Sequence, residues 1–303
     1  MNVFVYVLTH NILPIMLVAS FGYLLHRRLS LQIGTLSSVV FNILSPCLVF
    51  ASLANSQLPA KELARLVAFS AINILVMGVL AFLLARLLHL QRAEKASMLI
   101  VAMFVNGGNY GLTLLQLRYG EDGLSRGVVY YVTSTVMVYT VGVIIASMGN
   151  VSWRATLQRM VRLPAVYAAV LAVIVYGFGI SIPGPIMSGI TIAGNGAIPV
   201  MLLVLGMQIA SIRPDDRGRY VWPAVGLRLL GGPVVGIAVA LFLGLQGAAR
   251  SAMIIEATMP SAVINLILAG EFGLPTTNVA RIVVLSTLIS PLTIAAMIAL
   301  LGL

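Results

Sequence analysis

The sequence predicts an all-α polytopic membrane protein: ten transmembrane helices arranged as two inverted five-helix repeats. Three observations carry that expectation. Of 303 residues, 60% are hydrophobic and 9% charged, and the mean hydropathy of +1.06 lies far outside the range of soluble globular domains. The apolar residues fall into ten runs, each long enough to cross a hydrocarbon core of about 30 Å. Two of those runs, at matching places in the two halves, are interrupted by residues that do not belong in an ordinary apolar helix.

The runs cover approximately 2–25, 31–54, 63–88, 95–118, 124–148, 162–180, 185–211, 219–245, 249–271 and 277–302. The first begins at once, lacks a basic leader and extends to about Leu25, which suits a membrane span and not a cleavable signal. The connections are short, and the longest, 149–161, is a basic amphipathic linker between a first repeat, 1–148, and a second, 162–303. The net charge of +10 has no nucleic-acid motif beside it. It is topology information: twelve Lys and Arg fall on one side of the ten runs and five on the other, with Arg228 inside a run. The richer side is cytoplasmic, so both termini lie outside a cell (inner or plasma) membrane, as an even number of spans requires. Cys47 stands alone in an apolar run, which leaves no disulfide framework and no CxxC site.

The ninth run, RSAMIIEATMPSAVINLILAGEFG, carries Glu256, Pro260, Ser261 and Asn265 in its middle. Proline removes a backbone donor and clashes one turn back, so the helix breaks near Met259. A carboxylate there costs about 2.5–3.5 kcal/mol or more unless it faces protein, water or an ion. About 155 residues upstream, KASMLIVAMFVNGGNYGLTLLQLRYG is interrupted by Asn106, Gly107, Gly108, Asn109 and Tyr110, and a break is expected between Asn106 and Tyr110. At an offset of 155, Met98-Leu99-Ile100 falls on Met253-Ile254-Ile255, the end LLHLQ of the third run on FLGLQ of the eighth, and Asn73 on Arg228. Five spans per half put the second half in the membrane upside down relative to the first. Paired interrupted spans in such halves point to a transporter's binding site at the midplane.

Ala257-Thr258-Met259-Pro260, Gly270-Glu271-Phe272-Gly273 and Leu205-Gly206-Met207 with Arg213-Pro214 together resemble the auxin efflux carrier family, which includes plant PIN-type exporters and bacterial organic-acid carriers. The resemblance runs from Pro14 through Pro46, Asn106 and Pro260 to the last run. It implies that helices 4 and 9 are broken and cross each other. It also implies a scaffold of spans 1, 2, 6 and 7, a moving transport domain of spans 3–5 and 8–10, and a homodimer formed through the scaffold. The chain departs from the family at its first crossover, where Val105 stands ahead of Asn106 and no proline is present. The stretch IIEATMPS is similar to the sodium-site glutamate segment of bile-acid sodium symporters, a related fold. That likeness implies a cation site of Glu256, Asn73 and Thr133, to which Asn106 at the first break would add another oxygen.

Half-helix N-termini suit a carboxylate, and half-helix C-termini suit a cation. The expected function is secondary active transport of small organic anions, with Asn106, Asn109, Tyr110, Ser261, Asn265 and Arg228 as substrate contacts. Asn and Ser at a break also serve simply to satisfy freed backbone groups. Arg228 either meets the substrate's charge or snorkels to the interface. Glu256 either helps bind Na⁺, carries a proton, or pairs with Arg228. An uncoupled channel or uniporter and a sodium-driven importer stay open. An enzyme is not expected, because no nucleophile–base pair or HExxH motif is present.

Overall fold

A computed structural model describes residues 2–29, 31–56, 58–147, 163–211 and 218–302. The expected linker at 149–161 and Arg213-Pro214 lie outside the described residues. Within them the regular structure is helical. The chain runs through α1 (Val3–Leu29), α2 (Ile33–Ala54), α3 (Ala60–Leu87), α4 (Arg92–Met103) and the long helical stretch Gly107–Ala146. That stretch contains Gly120 at φ 62° and ψ −149°, and is two helices, α5 (107–119) and α6 (121–146). It continues through α7 (Pro164–Gly177), α8 (Gly184–Ser211, with a turn at Gly196), α9 (Val221–Phe242), α10 (Gly247–Thr258), α11 (Ile264–Glu271) and α12 (Thr276–Leu301).

Seven of these helical stretches are long and apolar enough to cross a membrane. The difference from ten has a plain cause. The expected fourth and ninth spans are each divided, into α4 and α5 and into α10 and α11, and the sixth is the 14-residue α7. The outer faces present Leu17, Phe21 and Leu24 of α1, Val79, Phe82 and Leu83 of α3, and Leu241 and Phe242 of α9, a surface suited to lipid tails.

Prolines inside helices are accommodated locally. A proline ring clashes with the carbonyl four residues back, and wide π-type turns stand just ahead of three of them: Val7–Ile12 before Pro14, Val40–Leu44 before Pro46, and Leu227–Gly231 before Pro233. The ends of α3 and α9 share one pattern. Leu88, His89 and Leu90 donate to Leu84, Arg86 and Ala85, and Leu243, Gly244 and Leu245 donate to Val239, Leu241 and Ala240. His89 at φ 51° and Gly244 at φ 62° both take the left-handed conformation that closes a helix.

The helices pack in two groups. In one, α1 lies along the second half of α8, and α2 packs on α7 and the first half of α8. Their approach is close: a Cβ on Gly206 would collide with the Ala19 carbonyl, and one on Gly22 with Leu203. In the other group, α3 packs on α4, α6 and α9, and α10 packs on α9 and α6.

The two breaks face each other between these groups. After Met103 the chain is non-helical through Phe104–Asn106, and after Thr258 through Met259–Val263. Val105 and Ser261 pair in an antiparallel bridge. The first break therefore lies ahead of the glycines, not between Asn106 and Tyr110, where it was expected. Gly107–Gly111 already forms a wide helical turn. What opens the chain at Phe104 is the partner strand: Asn106 N donates to Pro260 O at 2.8 Å and Ala262 N to Phe104 O at 3.0 Å.

Candidate functional site

Breaking two helices in hydrocarbon frees backbone groups that must find partners. Most are found inside the junction. Ser261 N donates to Ser286 Oγ at 3.2 Å, and Asn265 Nδ2 donates to Phe104 O and to Ser261 Oγ, each at 3.0 Å. Ser261 and Asn265 are fully buried, and their side chains tie the two breaks together. Tyr110 is likewise fully buried.

Asn106 and Asn109 instead line a cavity of about 100 Å³ between the two helix groups. Its walls are Ser37, Val40 and Phe41 of α2, Met201, Val204 and Gln208 of α8, the first turn of α5, one face of α6 from Tyr131 through Ser134, Thr135 and Val138 to Tyr139, and Ala262, Val263, Ile264 and Ile267. No lining residue is charged; the polar groups are amides and hydroxyls. Asn106 is 5% exposed, and its Nδ2 has no hydrogen-bond partner. Tyr110 and Gly111 N–H donate to Asn106 O, the N–H groups of Gly107 to Asn109 come before these first bonds of α5, and the helix dipole adds roughly half a positive charge at this end.

Sequence reasoning missed Tyr131, Ser134, Thr135 and Gln208. The first three had a signal: with Val138 they recur at i, i+3, i+4 and i+7 and so share one face of α6. The Tyr131 and Ser45 hydroxyls are 2.9 Å apart, which joins the cavity wall to α2. Thr133 lies on another face. Its hydroxyl donates to Val129 O at 2.8 Å, and the residue lines a lateral apolar groove with Leu63 and Ala169.

Glu256 is fully buried, and neither carboxylate oxygen has a hydrogen-bond partner. It lies in a cradle of glycines: a Cβ on Gly107 would stand 2.5 Å from Oε2, one on Gly111 2.6 Å from both oxygens, and one on Gly127 3.2 Å from Oε1. Asn73 Nδ2 donates to the buried Tyr130 hydroxyl at 3.2 Å, and Asn73 Oδ1 is without a partner.

Arg228 is also fully buried but makes no ion pair with Glu256. Its Nη1 donates to Ala102 O at 2.6 Å and its Nη2 to Ala257 O. Its guanidinium is thus directed at backbone carbonyls, and it is not among the residues lining the cavity.

The sequence is similar to known membrane proteins. The family profile described as "Membrane transport protein" matches residues 7–155 and 148–298. An "uncharacterized transporter" of Methanothermobacter thermautotrophicus is 26% identical over 288 residues, 93% of this chain and 94% of the relative. Another, of Methanocaldococcus jannaschii, is 22% identical over 86% of this chain and 87% of its own length. The "probable auxin efflux carrier component 1d" of Oryza sativa subsp. japonica is 27% identical over 59% of this chain and 31% of the rice protein. With two profile matches that together run through both halves, the chain belongs to the auxin efflux carrier family of membrane transport proteins.

Proposed function

We propose that this protein is a secondary transporter of small organic anions, mono- or dicarboxylic acids including auxin-like indole acids, working by alternating access. The carrying observation is Asn106 at the start of α5: the residue lines a cavity walled by both helix groups, and its buried Nδ2 has no hydrogen-bond partner. A carboxylate there takes hydrogen bonds from Asn106, Asn109 and the α5 N–H groups, and the helix end supplies the compensating charge. Tyr110, Ser261 and Asn265 hold the junction behind it. In this reading α4 with α5 and α10 with α11 are single broken crossings, which makes ten crossings in two inverted repeats. The group α3–α6 with α9–α12 moves against α1, α2, α7 and α8, which also carry a homodimer contact. Both termini lie outside the cell membrane.

Coupling to Na⁺ or H⁺ is assigned to Glu256. The two Glu256 carboxylate oxygens and Asn73 Oδ1 are buried hard oxygen donors without hydrogen-bond partners, suited to a small cation or a proton. The charge-free lining of the cavity favours a second reading, an uncoupled anion uniporter. Melting of purified protein across an organic-acid panel, with and without sodium, tests these readings. Saturable stabilisation by carboxylates that increases with sodium supports coupled transport. Stabilisation indifferent to sodium and pH supports the uniporter. No stabilisation by any organic acid contradicts both.

A further inference from the structure

The two breaks leave two particular carbonyls without their helical partners. In an uninterrupted helix, Ala102 O would accept from the Asn106 N–H and Ala257 O from the Ser261 N–H. Asn106 N instead donates to Pro260 O, and Ser261 N to Ser286 Oγ. Ala102 and Ala257 are each the next-to-last residue of their helices, α4 and α10. The negative dipole ends of two half-helices therefore converge on one fully buried point, where a positive charge is stabilised.

That point is held by the fork of Arg228, one nitrogen to each carbonyl. Room for it is made by Gly232, where a Cβ would stand 2.6 Å from Ala257 O and collide with the guanidinium. Glu256 does not share the site, because its carboxylate points to Gly107, Gly111 and Gly127. We propose that Arg228 is a built-in monovalent cation, filling a site that the two half-helix C-termini would otherwise offer to a mobile one. The junction carries its own counter-ion there, and no inorganic ion is needed at these carbonyls. Because α4, α9 and α10 pack in the same helix group, the guanidinium also fixes both half-helices as one body. Removing it leaves a latent site for Na⁺, K⁺ or guanidinium. The inference stands on the carbonyl geometry and does not depend on which anion is carried.

The experiment is a melting curve of full-length Arg228→Ala, and of Arg228→Met in case the alanine variant does not fold, in chloride salts of guanidinium, sodium, potassium or choline at millimolar concentration. Each variant is also made in a Glu256→Gln background. The expected result is a lowered melting temperature that a small cation raises saturably, by on the order of 5 °C at a hundredfold excess over its Kd, while choline does nothing. The response persists with Glu256→Gln. If neither variant responds to any small cation, or if the response disappears with Glu256→Gln, the proposal is overturned. The second outcome assigns the ion to the carboxylate and leaves the coupling reading of Glu256 standing.

Discussion

The carboxylate of Glu256 lies so close to Gly111 that a Cβ on the glycine would stand 2.6 Å from both of its oxygens. Glycine at this position is therefore a packing requirement imposed by a residue 145 positions away (256 − 111). Gly111→Ala should destabilise the protein by about 1–3 kcal/mol, the usual penalty for forcing an extra group into a closed core. Adding Glu256→Ala should relieve most of that loss. A double-mutant cycle of melting curves reads the coupling between the two positions, and additive losses would show that they do not meet.

Asn106 and Asn265 both sit at the crossover, but they should fail differently. Asn106→Ala removes a cavity-lining residue whose side-chain donor has no partner. Losing a hydrogen bond to a charged group costs about 1.5–3 kcal/mol, so KM for the carried anion should rise roughly tenfold or more with little change in melting.

Asn265→Ala removes the side chain that donates to Phe104 O and Ser261 Oγ. Its cost should appear as stability, about 1–3 kcal/mol, or a melting temperature lower by roughly 2–8 °C. Thermal denaturation of the two variants side by side distinguishes them.

Glu256→Gln retains the shape of the side chain and removes its charge. Uptake into proteoliposomes under imposed sodium and pH gradients should lose its response to whichever gradient drives the parent protein. An undiminished response in the variant would remove the glutamate from ion coupling.

The apolar runs were legible because crossing hydrocarbon demands unbroken hydrophobicity, and the helix ends at His89 and Gly244 were marked by matching LLHLQ and FLGLQ. Pro260 marked the second break for a reason internal to its own residue. The first break was misplaced because Phe104 and Val105 carry no breaking signal. They are drawn out by pairing with the Pro260 segment, a tertiary effect that local propensity does not contain. Gly107 and Gly108 read as helix breakers, but Gly107, together with Gly111, acts as space for a carboxylate. The cavity face of α6 is less legible because a polar stripe on an unbroken helix leaves no interruption in the hydrophobic run. Arg228 was legible as an anomaly in an apolar run, but its partners were not, because backbone carbonyls leave no mark in a sequence.

The central claim is that a carboxylate is carried through the Asn106 cavity, and counterflow tests it most directly. Proteoliposomes preloaded with an unlabelled organic acid that stabilises the purified protein should transiently accumulate the labelled acid from outside, with saturation, and Asn106→Ala should require a higher concentration for the same rate. Flux that does not saturate and shows no counterflow, or counterflow that is indifferent to Asn106, would contradict the account.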